Sequence, residues 1–213
     1  VIVAPLTIVL ARRALRGSMG AYLLWLGFIA FTVYNYVIYA FAIHFGPLFL
    51  LWVAVLGAST FTLVAGAFAL DAAAVADAMH RDRRRVAGAF LMTVAGLFTL
   101  MWLSDIVSAL LAGETPEVID ELNLPTNPVH VLDLAFFLPA AAFVGWSLWQ
   151  RRPLGYAAAP AVFVLLAATG IPIMTTVVVT AARGQDAAWP LLGVIGVLTI
   201  AAIVGAAKSV RWH

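Results

Sequence analysis

Cysteine is absent from the 213 residues, which excludes a disulfide framework, a thiolate metal site and a cysteine nucleophile, and leaves the redox compartment unreadable from thiols. Charge is nearly as scarce. Only 10% of the residues are Asp, Glu, Lys or Arg, against roughly a quarter in a water-soluble domain. Ten acidic and twelve basic side chains cannot coat a soluble body of 22.7 kDa. Nucleic-acid binders, Rossmann-type enzymes and disulfide-stapled domains are excluded together. The single lysine, Lys208, falls at the end of the last apolar segment, too near an interface for a buried retinal Schiff base. Long polar stretches are missing as well: the longest lies at 112–127, which leaves no room there for a kinase or cyclase module. A sensing role would need another chain to carry the output.

What the sequence does have is apolar length. Hydrophobic residues make up 64% of it and the mean hydropathy is +1.05. Crossing a bilayer takes about 20 helical residues, and six segments reach that length between charges, prolines and glycines: 21–43, 47–70, 86–111, 128–149, 155–181 and 189–207. None alternates apolar and polar residues as a barrel strand does. The opening run Val1 to Leu10 is too short to span and reads as the inner end of a truncated first helix over 1–11. A signal peptide is the competing reading, but its positive charge would precede the apolar region, whereas Arg12, Arg13 and Arg16 follow it. The expectation is an all-α integral membrane protein, one helical domain over 1–213 with seven transmembrane helices.

Lysine and arginine in short loops set orientation. Arg12, Arg13, Arg16, Arg81, Arg83, Arg84, Arg85, Arg151, Arg152, Lys208 and Arg211 fall on one side, leaving only Arg183 on the other. The eleven mark the cytoplasm and contact anionic lipid, so the amino terminus is expected outside and the carboxyl terminus in the cytoplasm. The basic run Arg81-Asp82-Arg83-Arg84-Arg85 is thus a topology determinant, and no nucleic-acid partner is expected despite a pI near 9.3. Trp52, Trp102, Trp146, Trp149, Trp189 and Trp212 fall mostly toward helix ends, as in an interfacial belt.

Ionisable residues inside a span are costly, at ~2.5–3.5 kcal/mol for a mid-bilayer carboxylate on insertion scales, and are functional candidates by default. Asp105 and Asp133 are the clear cases, both in the outer half. Asn35 and Tyr39 lie one turn apart on helix 21–43, which ends at His44, and His130 lies i, i+3 from Asp133. Asn35, Tyr39, His44, Asp105, His130 and Asp133 are therefore candidate ligand residues lining one outward-facing cavity. A structural reading stands beside it: Asn127-Pro128 is an N-cap with proline at the first helical position, and Asp133 bonds a neighbouring helix to hold the bundle. His44, His130, Asp105 and Asp133 are also candidates for a divalent metal or, for the histidines, haem, although they follow no diagnostic spacing and HExxH is absent. Pro139, Pro160 and Pro172 interrupt their helices as in transport pathways, and Ala65/Ala69 and Gly193/Gly196 are small-residue pairs suited to tight helix contact.

The segments Tyr34-Asn35-Tyr36-Val37-Ile38-Tyr39-Ala40-Phe41, Phe45-Gly46-Pro47-Leu48-Phe49-Leu50-Leu51-Trp52-Val53 and Asn127 to Pro139 resemble uncharacterised polytopic membrane proteins of high-GC bacteria. The resemblance implies a multi-pass protein of the bacterial inner membrane and brings no activity. Paired arginines before 21–43 and 155–181, with seven spans, are also similar in plan to the 3+1+3 repeat of SWEET sugar transporters, but the Pro-Gln signature is missing: alanine follows Pro139 and leucine follows Pro5.

Three functions are compatible with these residues. The first is a small-molecule or ion binder or carrier using the outward cavity. The second is an accessory subunit of a larger membrane assembly, or a self-associating one. The third is an intramembrane enzyme in which an aspartate and a histidine activate water on a metal.

Overall fold

The computed structural model describes residues 3–78, 84–184 and 186–210; Arg81, Arg83, Arg211 and Trp212, given topological or interfacial roles above, lie outside them. The described residues form helices joined by short turns. They are α1 (Val3–Leu15), α2 (Met19–Ala42), α3 (Phe49–Phe68), α4 (Ala72–Ala78), α5 (Arg84–Ala112), α6 (Glu117–Glu121) and α7 (Pro128–Leu132). A five-residue π turn, Asp133–Phe137, then leads into α8 (Leu138–Trp149), followed by α9 (Pro153–Ala182) and α10 (Trp189–Ser209).

Six of these, counting α7, the π turn and α8 as one, are long and apolar enough to cross a membrane, compatible with a polytopic membrane protein. Their ends lie within two residues of those of the six full-length segments expected from hydropathy. α1 has 13 residues, below spanning length.

Local chemistry sets the ends. The Ser18 hydroxyl accepts from the Ala21 amide and starts α2. Asn127 accepts from the amides of Val129 and His130, with Pro128 at the first helical position, as the sequence predicts. Asp71 Oδ1 accepts from Ala73 and Ala74 and nucleates α4, a helix that the apolar pattern leaves inside a connection. α4 buries Val75 and Ala76 against the bundle.

α9 is the central helix, packed on α2, α4, α8 and α10. α8 also packs on α5, and α2 on α1 and α3. The main core gathers Leu23, Leu91, Val144, Leu148, Tyr156 and Phe163, and a smaller one joins Ala95, Phe137, Leu138 and Ala141 beside Trp102. α3 is peripheral, with 11% of its spanning window buried, and it presents Leu50, Leu51, Phe61 and Phe68 outward. Pro160 and Pro172 lie inside a continuous thirty-residue α9, and Pro160 is a core residue, so neither divides the helix into two elements.

The Gly193/Gly196 pair makes no tight contact. A Cβ added at Gly193 meets nothing within 4 Å, and one at Gly196 meets only Met174 Sδ at 3.7 Å. One backbone-to-backbone approach is between α5 and α8, where a Cβ on Gly88 would lie 2.5 Å from the Gly145 carbonyl oxygen and one on Gly145 would lie 2.7 Å from the Gly88 oxygen.

Candidate functional site

Asp133 opens the π turn, five residues after Pro128. The turn has a local cause. Pro139 has no amide hydrogen to give the Ala135 carbonyl, and the Leu138 amide donates instead to the Asp133 carbonyl, five residues back. Widened turns of this kind commonly lie at functional sites. The side chain of Asp133 is buried, at 7% exposure, and both oxygens are engaged: the Tyr34 hydroxyl donates to Oδ1 at 2.9 Å and the Trp102 indole N–H donates to Oδ2 at 2.9 Å. One carboxyl group thereby ties α2, α5 and the π turn together. Phe137 packs edge-on to Tyr34, with ring centroids 6.5 Å apart.

His130, one turn before Asp133, is buried. Its ring lies 4.5 Å from that of Trp102, tilted by 41°, and its Nε2 is 3.8 Å from Asp105 Oδ2. That separation is an electrostatic contact rather than a hydrogen bond. The Asp105 side chain is 54% exposed. Two i, i+3 pairs therefore face one another: Trp102 and Asp105 on α5, His130 and Asp133 on the opposing helix. The sequence Asp105, His130, Trp102, Asp133, Tyr34 runs from the surface to the interior.

Beside Asp105 opens a groove of about 560 Å³, lined by Asp105, Ser108, Glu114, Glu117, Asp120 and Glu121 among others and by no basic residue. α6 forms its far wall. The expected outward cavity shared by both aspartates is thus divided: Asp105 belongs to an open acidic groove, and Asp133 is enclosed by protein donors.

The six expected ligand residues divide likewise. Asp105, His130 and Asp133 converge. Asn35 donates instead to the Phe31 carbonyl of its own helix, where an amide facing apolar surroundings finds its nearest acceptor. Tyr39 is exposed and packs on Tyr36 and Trp52, with centroids at 5.3 and 6.0 Å. His44 lies exposed in the turn after α2. Of the four metal candidates His44 stands apart from the other three, and among the described residues no three His, Asp or Glu side chains gather to hold an ion. Tyr34 and Trp102 join this cluster through Asp133 and are not among the six candidates named from sequence. Tyr34 belongs to the tyrosine-rich segment, and Trp102 lies one turn before Asp105, a spacing that signals a shared face; beyond the interfacial placement expected from sequence, it donates to Asp133.

Comparison with protein-family models, with curated proteins and with solved structures finds no match to this chain.

Proposed function

We propose that this chain is a seven-span protein of a bacterial inner membrane, with α1 contributing to the first span, the amino terminus outside and the carboxyl terminus in the cytoplasm. The likeness to polytopic proteins of high-GC bacteria suggests that origin. Eleven of twelve basic residues fall on one side, which supports the orientation. Because the chain has no cysteine, single introduced cysteines test it: a membrane-impermeant maleimide is expected to label Glu114→Cys in intact cells and Arg152→Cys only after permeabilisation. The reverse pattern overturns the orientation.

Within this topology the acidic groove binds a small multivalent cation or cationic solute from the outer face. The observation that carries the reading is that Asp105 belongs at once to the groove and to the His130 contact, so that charge arriving in the groove is felt by a buried imidazole. Glu114, Glu117, Asp120 and Glu121 raise the local cation concentration, and Asp133, held by Tyr34 and Trp102, fixes the helix that carries His130. Carboxylates spread over α5 and α6 suit an extended polyamine better than one coordinated metal. Spermidine titrated at moderate ionic strength is expected to raise the thermal midpoint of the wild type, with Asp105→Asn folding normally and losing most of the shift. An equal shift in Asp105→Asn, or none in the wild type with either spermidine or Mn²⁺, overturns the binding reading.

A second reading, an accessory or self-associating membrane subunit, is favoured by the full satisfaction of Asp133 and by the outward apolar residues of α3. Native mass spectrometry from mildly solubilised membranes distinguishes it: a lone monomer counts against it.

A further inference from the structure

At the arginine-rich end of the bundle, opposite the acidic groove, a second cavity of about 150 Å³ lies between α4, the start of α5 and the α8–α9 turn, lined by Asp77, Arg84, Arg151, Pro153 and Tyr156 among others. Its volume equals about five water-sized groups, enough for a tetrahedral oxyanion. Three features of this cavity are independent of one another.

The first is Tyr156. It is 5% exposed, and its hydroxyl is buried with no hydrogen-bond partner. A buried unpaired hydroxyl is costly, and such groups are rare unless a ligand or water completes them. The second is Arg151, whose φ is +61°. It ends α8 in a Schellman arrangement, with the Arg151 amide donating to the Leu148 carbonyl at 3.1 Å and the Arg152 amide to the Ser147 carbonyl at 2.8 Å. That position favours glycine. An arginine there sacrifices backbone ease for a guanidinium at the cavity. The third is the first turn of α9, a thirty-residue helix with no side-chain cap, whose positive dipole end adjoins the cavity through Pro153 and Tyr156.

We propose that this cavity is a phosphate-binding site, with the Tyr156 hydroxyl and the Arg151 guanidinium as donors and the α9 dipole aligned with it. A phospholipid headgroup and a free phosphate share this chemistry. Both test variants preserve the fold by design: Tyr156→Phe removes an unpaired hydroxyl, and Arg151→Gly places glycine where the backbone favours it, so each is expected to melt at or above the wild-type temperature in the absence of ligand.

The experiment begins with the full chain in dodecyl maltoside micelles, which contain no phosphate. One arm adds inorganic phosphate, with chloride at equal ionic strength as control; the other adds phosphatidylglycerol to the micelles, with diacylglycerol as control. The wild type is expected to gain about 3–6 °C in one arm at ligand about tenfold above its dissociation constant, and each variant to bind about tenfold more weakly. A shift with phosphate alone identifies a soluble anion, and one with phosphatidylglycerol alone a lipid headgroup. No shift in either arm overturns the site. So does a shift reproduced by the controls, or one that survives in both variants.

Discussion

Asp133→Leu is expected to lower the unfolding free energy by about 2–4 kcal/mol, because two donors, the buried Tyr34 hydroxyl and the half-buried Trp102 N–H, lose their acceptor together. Each stranded donor costs ~1–3 kcal/mol. Hydrogen bonds between spanning helices average only about 0.6 kcal/mol in double-mutant cycles, and removing a buried carboxyl group returns part of its desolvation cost, so the lower half of the combined range is the better expectation. Asp133→Asn should be much milder, at about 1 kcal/mol. Its amide oxygen can turn to Trp102, which only donates, and its NH₂ to Tyr34, whose oxygen can accept. Reversible unfolding in mixed detergent micelles measures both. A cycle adding Trp102→Phe isolates the Asp133–Trp102 coupling. A leucine variant that unfolds like the wild type, with no coupling in the cycle, removes the clasp as a support of the fold. The clasp also predicts an asymmetry in function: Asp133→Asn retains the spermidine response that Asp105→Asn loses, since only Asp105 lines the groove.

The second large effect is expected where two backbones touch. Gly88→Ala puts a methyl group 2.5 Å from a carbonyl oxygen of α8, and because the obstacle is backbone rather than a flexible side chain, α5 and α8 must move apart. Overpacking of this kind costs typically ~1–3 kcal/mol and occasionally more. We expect about 3 kcal/mol here, because the displaced helix also carries Trp102 and Asp105. Gly145→Ala should act alike, and the double variant should cost clearly less than the sum, since helices already separated admit the second methyl easily. Gly193→Ala is the control: its new methyl meets nothing within 4 Å, and stability should stay within about 0.5 kcal/mol. If Gly88→Ala matches that control, the close approach of α5 and α8 is not a feature of the folded protein.

These glycines show where sequence reasoning stops. Gly193 and Gly196 have the small-residue spacing of a helix contact, and Gly88 has none, yet Gly88 makes the contact. Periodicity reports which residues share a helix face; it does not report which face meets another helix. The same limit explains the polar cluster. The i, i+3 pairing of His130 with Asp133 could be read from spacing, and so could the N-cap at Asn127. Asn35 and Tyr39 have an equally regular spacing, but one folds back on its own helix and the other packs on Tyr36 and Trp52. The place of Trp102 along its helix is visible in the sequence, and its partner Asp133 is not.

By itself, the sequence determined the helical class, the six apolar segments and the imbalance of charge between their ends, because the transfer of side chains out of water and the repulsion of arginine from hydrocarbon are properties of each segment alone. Only the tertiary structure decided that α9 is central, that Gly88 meets Gly145, that Asp133 is enclosed while Asp105 faces a groove, and that Tyr156 and Arg151 share a cavity. Those facts depend on which helices touch and at what rotation, and with apolar surface available on nearly every side of each helix, hydropathy favours no one rotation over another.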